Sequence, residues 1–376
     1  MRTDFCRKVG IDVPIFAFTH CRDVAVAVSK AGGLGCLGTA FMNVAELKEH
    51  LDWMDQRVGD RNYGVDLLFN TRDTSAGRKL TAEQVDQEVW ASIPNDHREF
   101  VEKLLRDHGV PKWPENEPPS LGPMAYETTL PLFEEALRHP KCKVLVSALG
   151  TPPADVVGRC HDAGWVVGAL SGTPKHALQH KKAGLDFVIA NGTEGGGHTG
   201  AIGSIVLWPS MVDAVAPLPV LAAGGVGNGR QLMAALAMGA QGVWTGSLWL
   251  TVEEAHTQPA QKERYLKAGI DDTVLSRSWS GKTARFLRNE WTQAWEGQDS
   301  PGVLPNPAQW LLTADARRRT ERYGQVGKTQ EVAFSGAGQV IGQLNHVESC
   351  RDVILRLTTE FADAFERLAA LVAQDE

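Results

Sequence analysis

No Cys-x-x-Cys pair occurs in the 376 residues; the six cysteines, Cys6, Cys21, Cys36, Cys142, Cys160 and Cys350, are scattered. A disulfide framework or a structural zinc site needs paired, closely spaced ligands, so neither is expected and no metal is assigned. The thiols read as reduced, mostly buried groups of a cytoplasmic protein; Cys36, between Gly35 and Leu37 in an apolar strand, reads as core. No basic stripe is read along the chain, and the formal net charge is -7, which argues against a nucleic-acid partner. No uncharged apolar run is long enough to span a bilayer, so no membrane partner is expected. The first residues carry Arg2, Asp4, Arg7 and Lys8 where a signal peptide would have its apolar centre, so no signal peptide is expected. No Gly-x-Gly-x-x-Gly segment opens a βαβ unit near the N-terminus, and there is no low-complexity segment.

What is present has the balance of a globular protein with a sizeable core, 43% hydrophobic and 22% charged. Short apolar runs alternate with helical patterns, as in a parallel α/β fold. Strands are predicted at Pro14–Ala17, Leu34–Gly38, Tyr63–Leu68, Lys143–Ser147, Trp165–Leu170, Phe187–Ala190, Val220–Ala223 and Gly242–Thr245. Helices are predicted at Asp23–Ala31, Ala154–Ala163, Pro174–Ala183 and Gly229–Met238, each ending at a glycine suited to a left-handed cap. Eight βα units favour a closed (β/α)8 TIM barrel over an open sheet. The barrel is assigned to residues 1–69 and 141–250. Residues 70–140, after the third strand, form a long insertion with helix-like stretches at Thr81–Trp90 and His97–His108 and then Pro111, Pro114, Pro118, Pro119 and Pro123. A loop of that length at the C-terminal end of a barrel is expected to be a lid or substrate-specificity element. Residues 251–376 are expected to be a mainly helical extension packing on the barrel, with a helix near Glu253–Ala268 and a strongly amphipathic one at Cys350–Ala373. The stripe Val353, Ile354, Leu357, Phe361, Phe365, Leu368 and Leu371 reads as packed core, within the chain or between copies of a homo-oligomer.

Three rim segments carry chemistry. Directly after the sixth strand comes Asn191-Gly-Thr-Glu-Gly195-Gly196-Gly197-His198-Thr-Gly200. Its glycines allow backbone N–H groups to approach a planar or anionic ligand, and histidine titrates near neutrality and can act as acid or base. The seventh strand ends in Gly224-Gly225, and the eighth in Trp244-Thr245-Gly246-Ser247. These two turns, one βα unit apart, match the phosphate site that barrels build from the loops after strands seven and eight.

The glycine-rich His loop, the paired phosphate turns and Ala31-Gly-Gly-Leu-Gly35 resemble the nitronate monooxygenase family, formerly called 2-nitropropane dioxygenases. That family also includes flavin-dependent enoyl-acyl-carrier-protein reductases and some NADH:quinone reductases. The resemblance runs from Val13 to Leu250 and implies a non-covalent FMN, with His198 as the base beside the flavin N5 and the substrate α-carbon. It implies flavin contacts from Ala17, Asn191, Gly195, Gly196 and Gly197, and a phosphate clamp from Gly224, Gly225 and Trp244 to Ser247. Ser147 and Lys175 are further rim candidates, and Arg285 is given a structural or rim role. Where members commonly carry an Asn toward the flavin pyrimidine, this chain has Asp66, which donates a hydrogen bond only when protonated. The implied activity is oxidation of alkyl nitronates or nitroalkanes by O2. An NAD(P)H-dependent reductase of enoyl thioesters or quinones, and a flavin-free barrel binding a phosphate ligand, remain the alternatives.

Overall fold

The computed structural model describes residues 1–40, 42–69, 82–114 and 126–373. Six parallel strands come first: β1 (Ile15–Thr19), β2 (Leu34–Gly38), β3 (Tyr63–Leu67), β4 (Cys142–Ser147), β5 (Val166–Ser171) and β6 (Phe187–Asn191). After a two-residue strand outside the barrel, β7 (Gly197–His198), come β8 (Val220–Ala223) and β9 (Gly242–Thr245). β9 pairs with β1, Ile15 opposite Val243, and the sheet closes as a (β/α)8 barrel. Every predicted barrel strand is present within two residues of its expected ends. Both faces of each strand are buried, which is why the sequence runs are continuously apolar. Residues of one parity, such as Phe16, Cys36, Val144, Ile189 and Trp244, fill the interior. Those of the other parity, such as Val65, Leu145 and Val167, pack on the helices outside.

The N-terminal segment has a structural task. Thr3 caps a helix at Asp4–Val9, and its Phe5 ring lies 5.6 Å from Phe16 and 5.0 Å from Phe187, so it closes the barrel at the strands' N-terminal ends. All six cysteines are free thiols, and five of them are buried. No helix among the described residues is long and apolar enough to cross a membrane.

Outside the barrel the structure redraws the sequence reading in three places. Helix Tyr126–Ala136 puts Leu132, Phe133 and Ala136 into the outer barrel core, so the crossover from β3 to β4 begins inside the stretch read as insertion. The remaining insertion helices, Ala82–Ser92 and Asn95–Asp107, pack against the chain beyond the barrel. There Ile93, Val101 and Leu105 join Trp279, Trp291, Trp295 and Leu312 in one apolar core. Residues 70–81 and 115–125, with Thr81, Pro118, Pro119 and Pro123, lie outside the described residues. Next, the helix expected over Glu253–Ala268 is confined to Pro259–Lys267, because Pro259 fits a first turn and not a helix interior. Strands β10 (Thr273–Ser276) and β11 (Ala284–Leu287) follow and form a small antiparallel sheet in the order β10, β11, β7. Finally, helix Cys350–Ala373 has the expected bounds, but its apolar stripe is not all core. Val353, Ile354 and Leu357 are buried, whereas Phe365, Leu368 and Leu371 are 61%, 44% and 58% exposed.

Glycines set the closest contacts between layers. A Cβ on Gly35 would stand 2.1 Å from the Ala25 carbonyl, so helix Arg22–Lys30 lies directly on the β2 backbone. Gly158, inside helix Ala154–Asp162, has nothing within 4 Å of that position. Gly35→Ala is expected to destabilise by about 1–3 kcal/mol or more through forced backbone displacement. Gly158→Ala is expected to stabilise by about 0.5–1 kcal/mol. Paired thermal melts check both, and equal melting temperatures would contradict the layer contact.

Candidate active site

Asn191 ends β6 facing the barrel mouth, and its side-chain amide donates to the His198 carbonyl at 2.9 Å. The intervening loop folds on itself, with Gly195 N–H bonded to the Gly192 carbonyl at 3.0 Å and Thr199 Oγ1 to the same carbonyl at 2.6 Å. Glu194 accepts the Ser204 N–H and, at 2.7 Å, the Ser204 hydroxyl, so its carboxylate sits at the positive end of helix Ser204–Val215. The His strand β7 then pairs with β11, His198 opposite Ala284 and Gly197 opposite Arg285. Arg285 reaches back with Nε to the Thr193 carbonyl at 2.9 Å and with a terminal nitrogen to Thr273 Oγ1 at 3.0 Å. The loop is therefore held from both sides.

The glycines of the rim divide into two groups. Added Cβ atoms at Gly192, Gly195 and Gly196 would meet Ser204 Oγ, Asn191 Oδ1 at 2.5 Å and the Gly338 nitrogen at 2.6 Å; these glycines make room for the protein itself. Gly224 is of the same kind, at 2.8 Å from the Gly192 carbonyl. Among the described residues, Gly197 has nothing within 4 Å, and Gly225 and Gly246 meet nothing closer than 3.7 and 3.8 Å. Gly225 takes φ +82°, so its backbone lies open to the rim where a side chain would be strained. Ser247 Oγ accepts the Gly338 N–H at 2.8 Å, which leaves the hydroxyl proton free to be donated. Gly225, Gly246 and Ser247 thus fit a bound phosphate, with Gly197 beside the histidine.

The other predicted site residues take several positions. Trp244 faces inward at the barrel's C-terminal end, with its ring 6.1 Å from Phe18. Thr245 is structural, donating to the Phe16 carbonyl and accepting the Trp249 indole N–H, both at 3.0 Å. Ala17 turns its side chain into the outer core with Val24 and Val28, so only its backbone faces the rim. Ser147 is fully buried on the parity of Leu145, and its hydroxyl has no hydrogen-bond partner among the described residues. Lys175 is exposed on the first turn of helix Pro174–Lys182, which Thr173 caps by accepting the His176 N–H. Asp66 shares the inward parity of Gly64 and is 3% exposed. Burial pushes its carboxyl well above the usual range, against the pull of the Ala148 N–H, and so favours the neutral form, which can donate a hydrogen bond.

Sequence reasoning missed the partners that reach His198 from beyond the barrel. His198 Nε2 lies 2.9 Å from Ser280 Oγ. That hydroxyl is 3.2 Å from the Lys282 carbonyl and accepts the Lys282 N–H at 3.3 Å. Arg317, buried and stacked 3.7 Å over the Trp310 ring, adds a second positive charge nearby. Burial first, then Lys282 and Arg317, lowers the imidazole pKa to about 4. Ala337 and Gly338 press on Gly196, and the Gln339 N–H bonds the Glu194 carbonyl at 2.9 Å. Nothing in the sequence marked Ser280 or Arg317 as a neighbour of His198.

This arrangement can be set beside known proteins. The family model described as nitronate monooxygenase matches residues 8–360. A Mycobacterium tuberculosis protein named as a monooxygenase is 44% identical over 380 residues, covering 99% of this chain and all of the relative. A Staphylococcus aureus protein named as a nitronate monooxygenase is 25% identical over 349 residues, 89% of this chain and 90% of the relative. Among solved structures, FabK of Thermotoga maritima superposes with a TM-score of 0.75 at 23% identity, covering 99% of each chain. A nitroalkane oxidase of Streptomyces ansochromogenes gives 0.75 at 24% identity, over 95% of this chain and 98% of that one. With residues 8–360 matched in one continuous span, this chain belongs to the nitronate monooxygenase family of oxidoreductases.

Proposed function

We propose that the protein is an FMN-dependent nitronate monooxygenase, oxidising alkyl nitronates with O2, and that His198 is its base. The observation that carries this reading is an uncharged imidazole held beside an open glycine cradle and two fixed cations. Gly225, Gly246 and Ser247 would hold the FMN phosphate, and Asp66, as a neutral acid, would donate to the pyrimidine without placing a negative charge next to an electron-rich ring. FMN, when bound, supplies the electron acceptor for the nitronate and the route to O2.

The chain's own part is to bind an anion and move a proton. If the Ser280 hydroxyl donates to the Lys282 carbonyl, its oxygen accepts the His198 Nε2–H, and Nδ1 keeps the free lone pair. Nδ1 can then take the α-proton of a nitroalkane. The Lys282 and Arg317 charges that lower the imidazole's basicity also attract the nitronate anion. Both effects favour a substrate that arrives already ionised. Insertion helices Ala82–Ser92 and Asn95–Asp107 share an apolar core with the chain beyond β10 and would cap the site; the tryptophans of that core hold Ser280 through the Gln309 and Thr313 bonds to the Ser278 and Trp279 carbonyls.

Three experiments test this. In FMN-loaded His198→Asn, flavin is expected to stay bound while turnover of neutral nitroalkane falls by about 10²-fold or more and turnover of pre-ionised nitronate survives. Equal losses on both substrates would remove the base role. For wild-type enzyme on a neutral nitroalkane, kcat/KM is expected to fall with decreasing pH through about 4 rather than near the ordinary histidine value, because the depressed imidazole remains the free base down to that pH. An acid limb near 6.5 would show that the cations do not act on His198. Under anaerobic mixing, alkyl nitronate should bleach the flavin and NADH or NADPH should not; the reverse result would make the protein a nicotinamide-dependent reductase.

A further inference from the structure

The first turn after β1 and the segment following β9 meet on the surface in a group of three metal-ligating side chains. Cys21, Asp23 and His256 place one ligand atom each, Sγ, a carboxylate oxygen and an imidazole nitrogen, within 4.8 Å of one another. His256 is largely exposed, yet its Nε2 is turned back to 3.2 Å from Asp23 Oδ2. Cys21 Sγ donates to the Glu254 carbonyl at 3.3 Å, so the thiol and the imidazole are drawn together from chain positions far apart. We propose that Cys21, Asp23 and His256 form a binding site for a borderline-soft divalent cation of the zinc class.

The ligand chemistry fits this class of cation. One thiolate, one carboxylate and one imidazole are the donor types zinc takes, and the two anionic groups neutralise the dication. Tetrahedral ligands at zinc bond lengths stand about 3.3–3.8 Å apart, so the exposed His256 needs a shift of about 1 Å to close the set. Water completes the fourth position. On binding, the Cys21 S–H proton leaves to solvent and the bond to the Glu254 carbonyl gives way to a sulfur–metal bond, with no change of oxidation state. The site would act as a clasp. Glu254 also caps the C-terminal helix through the Cys350 N–H at 3.0 Å, and the 3-10 turn Ser247–Trp249 of the phosphate cradle lies just upstream. A cation there would tie the start of helix Arg22–Lys30 to the segment that joins the cradle to the rest of the chain. The cation takes no part in the reaction at His198.

The test uses tag-free, FMN-loaded protein, stripped with a chelator and dialysed against Zn2+ at pH 8. About one Zn2+ per chain is expected, with release of about one proton and a rise in melting temperature. Cys21→Ser and the surface change His256→Gln should each weaken affinity by at least the roughly 10- to 100-fold that loss of an outer-shell partner costs. Both should keep their flavin and their melting temperature without metal, and lose the zinc-induced rise. Absence of bound Zn2+ in the wild type, or equal retention by His256→Gln, would overturn the proposal.

Discussion

The pairing of two-residue β7 with β11 is the contact on which the candidate site depends. A loop rich in glycine has no side-chain packing of its own and would sample many conformations at a barrel rim. Here it is a strand edge: Gly197 and His198 are registered against Arg285 and Ala284, Arg285 grips the Thr193 carbonyl, and Ala337–Gly338 lie against Gly196. All three restraints come from residues beyond the barrel. The barrel supplies the floor and one wall, while the C-terminal region fixes where the imidazole points.

This dependence explains which parts of the protein were legible in its sequence. The barrel strands were readable because each is buried on both faces and leaves a continuous apolar run, and the helix ends because glycine follows them. His198 and the phosphate turns stood out through local composition. Ser280, Arg317 and Gly338 carry no such local signal. Their roles come from contacts across 82 and more residues of chain, as in the His198–Ser280 bond. The C-terminal stripe misled for a related reason: helical periodicity reports that one face is apolar, not how far a partner surface extends along it. Phe365, Leu368 and Leu371 continue the pattern past the helices Arg22–Lys30 and Gly229–Ala237 that cover Leu357.

Glycine frequency in a rim loop proved a mixed signal, and only the geometry separates its components. Gly192, Gly195, Gly196 and Gly224 are required by the protein's own backbone and polar atoms. Gly197, Gly225 and Gly246 leave space open. The first group makes the loop compact enough to hold; the second leaves room for a ligand. A sequence motif sums the two, so it does not tell which of its glycines would face a ligand.

The electrostatics of the mouth follow from burial more than from charge placement. Asp66 and His198 belong to opposite charge types, yet desolvation drives both toward their neutral forms. A neutral carboxyl could donate a hydrogen bond, which would meet the difficulty that an acidic residue poses beside the flavin under the proposed function. The imidazole becomes a free base even in mildly acidic solution. The fixed charges that remain near the histidine, Lys282 and Arg317, are both positive, so the mouth prefers an anion before any reaction begins. A weakly basic histidine beside two cations would take the α-proton of a neutral nitroalkane slowly, so the proposed base role on nitroalkanes would be secondary to receiving a nitronate already formed. Under the proposed function, that balance, set by residues beyond the barrel, would bias the chain among the reactions its fold supports.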